Sequence, residues 1–296
     1  MTQQDVIPGA VTHELPKVRS IGIEDIKDAL AKGVDDFRAM PSHAVFICLI
    51  YPILGLVLAR IAFGYDVLSM LFPLAAGFAL VGPFAAIGLY ELSRRREQGL
   101  EADWTHLLDV RHSPSFGPIL GLGLLLVAIF LIWLAVANGI YTATMGYQPV
   151  ASMPEFLRQV LTTPQGWTLI IVGNFIGFLF ALLVLVISVV TFPLLIDRNV
   201  GAAAAVLTSV RVVLANPMTM ALWGLIVAAL LLIGSLPLFI GLAVVMPVLG
   251  HATWHLYRKV VDPDRAPPLE YREPPKGTRY AAEFPASLFS RDRDRA

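Results

Sequence analysis

Long apolar runs, separated by short polar segments, make up most of this sequence between residues 44 and 259. Because a helix needs about 20 apolar residues to cross the hydrocarbon layer, each run predicts a membrane-spanning helix. The pattern therefore predicts an all-α, polytopic transmembrane helical bundle of about six spans, with short amphipathic interfacial helices. Four spans are assigned to residues 44–63, 67–90, 118–138 and 167–196, and two more to the region 218–259.

Two of these runs do not have the length of a single span. Residues 167–196 exceed the need, so we expect this helix to tilt, to kink near Pro193, or to project beyond the membrane. As one helix, residues 218–259 would measure about 60 Å, twice the hydrocarbon thickness. As two helices, they would be separated by a tight turn at Gly234-Ser235-Leu236-Pro237, because Gly and Pro interrupt helical structure.

The basic residues favour the six-span interpretation. Lys and Arg near span ends are enriched on the cytoplasmic side of a membrane. With six spans and a cytoplasmic N-terminus, 20 of the 22 basic residues lie in cytoplasmic segments, and only Arg60 and Arg158 lie outside. Five spans would place Arg258 and Lys259, directly after the last run, on the outer side. We therefore expect a multi-pass protein of the bacterial inner membrane with both termini in the cytoplasm.

Three regions follow from this pattern. Residues 1–43 are predicted to be a cytoplasmic segment with an amphipathic helix at 21–40, whose charged residues, Asp36 among them, are placed opposite an apolar stripe. Residues 44–259 form the six-span domain, and residues 260–296 a cytoplasmic, disordered tail. Two interfacial helices are also predicted. One begins at the capping-box sequence 152–155, and the other covers 201–215 and ends at Asn216-Pro217.

Composition and charge limit the function classes. The chain is 56% hydrophobic, only 15% charged and has a mean hydropathy of +0.70, whereas soluble domains carry about 25% charged residues. Its zero net charge gives no indication of nucleic-acid binding. No ionisable residue is expected near the membrane midplane, where ion-coupled transporters and pumps usually need one. No phosphate-binding loop or nucleophile motif is present, so we predict no enzyme. The sequence requires no cofactor, and which one it could bind is unknown.

Histidines and one glutamate near the predicted cytoplasmic surface are the candidate site. His251 and His255 are four residues apart and share one helix face, and His43 and Glu91 are expected at similar depth. Such residues can bind a divalent metal, and two facing histidines can ligate a haem iron. Alternatively, they are interfacial polar anchors, like the aromatic residues beside them. The candidate metal ligands are His43, Glu91, His251 and His255.

Three stretches of sequence carry a resemblance to a known family. They are DFRAMPSH at 36–43, GFALVGP at 77–83 with YELSRR at 90–95, and PVLGHATWHLYR at 247–258. Together they resemble a bacterial family of uncharacterised integral membrane proteins, domain of unknown function 2189. The resemblance extends over about residues 20–260 and implies a multi-pass inner-membrane protein without an assigned activity.

These observations favour a non-enzymatic scaffold or accessory subunit. Its expected partners are the lipid bilayer and, as candidates, other membrane-protein subunits, but no nucleic acid. Two alternatives stay open at this point. The chain could be a metal- or haem-binding protein linked to respiratory-complex assembly, or a facilitator for a lipid or other uncharged solute.

Overall fold

The computed structural model describes residues 15–40, 70–147, 153–237 and 240–263. Three sequence predictions therefore lie wholly or partly outside the described residues. These are the first span at 44–63 together with the start of the second, the serine of the capping box at 152–155, and the disordered tail beyond residue 263.

Helices account for the regular structure of the described residues, which confirms the all-α prediction. Two 3₁₀ segments, Ala79–Val81 and Trp104–His112, and an isolated β-bridge between Val18 and Val261 complete it. The helices are α1 (Ile23–Ala39), α2 (Leu71–Phe78), α3 (Gly82–Ala85), α4 (Ile87–Glu97), α5 (Phe116–Met145), α6 (Met153–Thr162), α7 (Pro164–Ser188), α8 (Thr191–Asp197), α9 (Ala202–Ala215), α10 (Pro217–Ser235) and α11 (Leu242–Val260).

Four helical stretches in the described part of the chain are long and apolar enough to cross a membrane: Phe72–Glu97, Phe116–Met145, Pro164–Asp197 and Pro217–Ser235. Large apolar side chains on their outer faces are more than half exposed, including Leu124 and Leu131 on α5 and Ile171 and Phe175 on α7. Exposed apolar surface of this extent is typical of a face in contact with lipid. These stretches coincide with the second to fifth predicted spans.

Proline explains why two of these stretches are not single straight helices. Pro193 has no N–H to donate, and its ring clashes with the carbonyl four residues earlier, at Val189. The regular α-helix is accordingly interrupted at Val189 and Val190, between α7 and α8, where a kink near Pro193 was one of the expected outcomes. The Thr191 hydroxyl donates to the Ile187 carbonyl oxygen at 2.5 Å, which satisfies a backbone group at the break. Pro83 likewise has no N–H to donate, and the regular helix before it is interrupted by the 3₁₀ segment that separates α2 from α3.

The region 218–259 folds as two helices, as the Gly-Pro turn predicted. α10 ends at Ser235 and α11 begins at Leu242. A Cβ at Gly241 would lie 2.7 Å from the carbonyl oxygen of Gly234, so this close approach requires glycine. α11 is not among the helices apolar enough to span a membrane, because its second half carries histidines and basic residues. The sixth crossing therefore stays a prediction.

Small residues allow the apolar helices to pack around Trp133 of α5. A Cβ at Gly77 of α2 would lie 2.6 Å from the Trp133 ring, and one at Gly177 of α7 would lie 3.0 Å from it. The ring also packs against Phe180 with centroids 5.6 Å apart, and its Nε1–H donates to the Pro73 carbonyl oxygen at 2.9 Å. Such small-residue contacts permit close helix approach in a bilayer, where the hydrophobic effect does not drive helix association.

Candidate functional site

Helix α1 lies against the second half of α11, and Gly33 sets how close the two helices are. A Cβ at Gly33 would lie 2.7 Å from the backbone nitrogen of Ala252 and 2.8 Å from the carbonyl oxygen of Val248. Backbone atoms cannot move aside as a flexible side chain can, so only glycine fits here. α1 buries Ile26 and Ala29 on the same face. This contact places α1 beside both histidines of α11.

The carboxylate of Asp36 is the centre of the polar contacts between these helices. Asp36 is only 5% exposed. Its Oδ2 accepts hydrogen bonds from Ser93 Oγ at 2.6 Å and from His255 Nε2 at 2.9 Å, and its Oδ1 accepts one from Arg96. Nδ1 of His251 lies 2.7 Å from the same Ser93 hydroxyl. One carboxylate therefore joins α1 to α4 and α11, and we call these five residues the Asp36 cluster.

The pKa of Asp36 is held below its usual value. Burial by itself would raise the pKa, because it disfavours the charged form. Hydrogen bonds from His255 and Ser93 favour the carboxylate and lower the pKa instead. Asp36 is thus an ionised acceptor at neutral pH, in a position where a buried charge needs partners.

Two lysine contacts extend the α1–α11 interface toward the start of α1. Lys259 Nζ lies 3.2 Å from Asp25 Oδ1 and 2.9 Å from Asp28 Oδ2. The pKa of Asp25 is lowered, first by a hydrogen bond from the Gly22 backbone N–H and then by Lys259. The pKa of Asp28 is lowered by its hydrogen bonds from Lys259 and Lys32. α1 is therefore held at both of its ends.

The N-terminal segment before α1 completes this attachment. Arg19 N donates to the Val260 carbonyl oxygen at 2.8 Å, and Asp262 N donates to the Lys17 carbonyl oxygen at 3.0 Å. The side chain of Asn216 accepts from the Ile21 N–H at 2.8 Å and donates to the Arg19 carbonyl oxygen at 3.0 Å. Residues 17–21 are thus fixed to the end of α11 and to the start of α10.

A second polar cluster joins α4, α8 and α11 without α1. Tyr257 donates its hydroxyl proton to Asp197 Oδ2 at 2.5 Å, and Arg258 lies 3.4 Å from the same oxygen. Glu97 accepts from Trp254 Nε1 at 2.9 Å and from Arg258 Nε at 3.0 Å. Tyr257 and Trp254 are almost fully buried. The pairing of these charges rigidly joins the ends of three helices.

The predicted metal ligands are placed in different surroundings. His251 and His255 come together at Asp36, whereas Glu91 is fully buried and takes a two-point hydrogen bond from Arg94, with both distances 2.8 Å. His43 lies outside the described residues. Among the residues that the structure describes, no three His, Cys, Asp or Glu side chains are arranged to hold a metal ion. Nε2 of His251 is buried and lacks a hydrogen-bond partner in the described chain. The four-residue metal set stays a prediction.

Sequence reasoning missed Asp36 and Ser93 as site residues, and the buried face of α1 is rotated relative to the predicted apolar stripe. The apolar spacing predicts a stripe of Ile23, Ile26, Leu30, Val34 and Phe37, with Asp36 on the solvated face. Ile26 is buried as predicted, but Ile23 is 57% exposed. The buried face instead follows Ile26, Ala29, Gly33 and Asp36. Gly33 is the sequence feature that indicates this buried face. A glycine inside a helix often marks close packing, and Asp36 lies one turn after it on the same face.

Comparison with known protein families supports the prediction of a membrane protein. A family model described as "Predicted integral membrane protein (DUF2189)" matches residues 71–197. This match confirms the resemblance, although of the three stretches that suggested it only 77–83 with 90–95 lies inside the matched range. No curated protein and no solved structure matches the chain. The chain is therefore an integral membrane protein, and a bilayer is its environment.

Proposed function

We propose that this integral membrane protein is a non-enzymatic scaffold or accessory subunit of the bacterial inner membrane, with six spans and both termini in the cytoplasm. Its polar end, formed by α1, the last turns of α4, α8 and the second half of α11, is the platform that contacts other membrane-protein subunits. The observation that carries this proposal is the attachment of α1 through the Asp36 cluster, which presents the charged outer face of α1 on a fixed support.

The charged side chains of the polar end stabilise one another, which supports a structural role. Arg94 pairs with Glu91, Arg95 lies 3.4 Å from Asp109, and Arg96 pairs with Asp36. Paired charges of this kind are poorly suited to catalysis, which needs a group free to exchange protons or bind a reacting atom. Their effect is to fix helix ends relative to one another.

The proximity of the two ends of the described chain supports an even number of spans. Val18 and Val261 are bridged, which supports a topology with residues 17–21 and the end of α11 on the same side of the membrane. α10 starts beside Ile21, where Thr219 Oγ1 donates to its carbonyl oxygen at 3.0 Å, and α11 returns to the same end. The proposed total is six spans. Four are the apolar stretches of the described chain, the fifth is α11, and the sixth is the predicted span at 44–63. The basic residues favour the cytoplasm for this side.

Thiol accessibility tests this topology. In a background with the single native cysteine replaced (Cys48→Ser), one variant carries Asp262→Cys and another Ser235→Cys. In intact cells, a membrane-impermeant thiol reagent should label the Ser235→Cys protein and leave the Asp262→Cys protein unlabelled until the inner membrane is opened. Labelling of both positions in intact cells, or of Asp262→Cys alone, would contradict six spans with cytoplasmic termini.

The scaffold role is tested by purification in mild detergent from native membranes. Wild type is compared with Asp36→Asn, which weakens α1 attachment, and with Glu101→Gln, which removes an exposed charge from outside the elements that form the polar end. We expect a membrane-protein partner in stoichiometric amount with wild type and Glu101→Gln, and its loss with Asp36→Asn. Recovery of the chain alone, substrate turnover by the purified protein, solute movement in liposomes, or a haem absorption band with stoichiometric metal would refute the proposal.

A further inference from the structure

A surface groove lies between the N-terminal segment and α9, away from the Asp36 cluster. It is a shallow, largely open depression with a volume of about 630 Å³. Its walls are residues 15–18 on one side and the last turns of α9 on the other. Because α10 starts at Pro217, directly after α9, the groove is next to a membrane-spanning helix.

Two basic side chains, Lys17 and Arg211, line this groove. Both residues are exposed, and neither forms an ion pair with a described residue. Asp262 is bound through its backbone N–H to the Lys17 carbonyl oxygen, but its carboxylate pairs with Arg19. Within the described part of the chain, the groove therefore offers two cations without an ion-pair partner, in contrast to the paired arginines of the polar end.

The surface around these cations is apolar and exposed. Leu214 also lines the groove and is 74% exposed, and Met218, four residues further along, is 82% exposed. Leu207 is 43% exposed and shares one helical face with Arg211 and Leu214. A helix in water would bury such leucines, and a helix within the hydrocarbon layer would exclude arginine. An arginine flanked by exposed leucines suits the level of the lipid headgroups.

We propose that this groove binds the phosphate of an anionic phospholipid. The Arg211 guanidinium and the Lys17 ammonium contact the phosphate oxygens, since guanidinium donates two parallel hydrogen bonds to phosphate and ammonium acts as a point charge. The acyl chains lie along the apolar face formed by Leu214 and Met218. Charge complementarity favours an anionic headgroup, because no described acidic side chain forms an ion pair with either cation. The inference rests on membrane embedding and is independent of the scaffold role.

Native mass spectrometry of the full-length, delipidated protein tests the proposal. The probes are phosphatidylglycerol, phosphatidylcholine of the same acyl composition, and glycerol phosphate as a headgroup without acyl chains. The test variant is Lys17→Gln/Arg211→Gln, and the matched control is Arg38→Gln/Arg111→Gln, which removes two exposed cations from outside the groove. Because all four residues are exposed, both variants should fold, and circular dichroism checks this.

We expect wild type to bind phosphatidylglycerol in preference to phosphatidylcholine. Each basic residue near the surface contributes to anionic lipid binding, so the groove variant should lose about 10- to 30-fold in affinity and the control less than about twofold. Equal losses in both variants, or no preference between the two lipids, would overturn the site. Displacement of bound lipid by glycerol phosphate would show that the groove binds a soluble anion and not a lipid. A dimer lost only in the groove variant would assign it to a second copy of this chain.

Discussion

The substitution Asp36→Asn is the most direct test of how α1 is attached. The amide has nearly the same volume as the carboxylate, so the change removes charge without leaving a cavity. It also leaves the close contact at Gly33 intact. Any loss of attachment therefore reports the electrostatic contribution of the Asp36 cluster.

The size of the effect follows from the contacts of Asp36. Hydrogen bonds to a charged group contribute about 1.5–3 kcal/mol each, and breaking a buried ion pair costs about 3–5 kcal/mol. The side chain of Arg96 is 40% exposed, so solvent screens that pair and it contributes about 0–1 kcal/mol. The amide retains one acceptor oxygen. We therefore expect the free energy of local opening of α1 to fall by about 2–3 kcal/mol, or about 30- to 160-fold in the opening equilibrium.

Hydrogen exchange of the protein in nanodiscs measures this opening. Peptides covering residues 23–39 should exchange about 30- to 160-fold faster in Asp36→Asn than in wild type. Asp35→Asn, the control, should change exchange by less than about twofold, because Asp35 is exposed and has no ion pair with a described residue. Equal exchange in all three proteins would refute the reasoning. Uniform acceleration across α5 and α7 would show a loss of global stability instead.

Three further outcomes are expected. Since the folded-state pKa of Asp36 lies below its usual 3.8, its contribution is complete above pH 3.8 and is lost as pH falls through the lowered value. α1 exchange, corrected for intrinsic rates, should therefore rise only in acid, and the Asp36→Asn protein should show less of this rise. Gly123→Ala should lower the thermal unfolding midpoint, because its Cβ would lie 2.3 Å from the Phe84 ring, at a cost of about 1–3 kcal/mol. Gly121→Ala is the matched control, because its Cβ would meet no atom within 4 Å, and it should not lower the unfolding midpoint. Ser93→Ala removes the hydroxyl that joins Asp36 to an imidazole and should cost about 1–3 kcal/mol, again measured by exchange of α1.

Periodicity and turn residues were sufficient to predict the apolar helices. The spans at 118–138 and 167–196, the break after Gly234, and the helix at 201–215 all follow from local sequence, because each is decided by apolar length or by Gly and Pro. Local sequence also predicted α1 and a helix irregularity near Pro193. These elements need no information about distant residues.

The Asp36 cluster could not be predicted in the same way, because its members come from three distant segments. Asp36 is 57 residues from Ser93 and 219 residues from His255. A charged residue in an amphipathic helix is ordinarily assigned to the solvated face. The tertiary packing of α1, including the close contact of Gly33 with Ala252, orients the helix so that Asp36 is buried. The histidine pair was recognised as a feature, but its carboxylate partner was not.

The bridge between Val18 and Val261 has a consequence for biogenesis. The ribosome makes α1 early and α11 some two hundred residues later, so the helix that receives α1 does not exist while the intervening spans enter the bilayer. During that interval Asp36 lacks His255, and Asp25 and Asp28 lack Lys259. Contacts of such long sequence separation form late. The polar end is therefore completed only after residue 261 has left the ribosome, and until then α1 is open to chaperones and proteases.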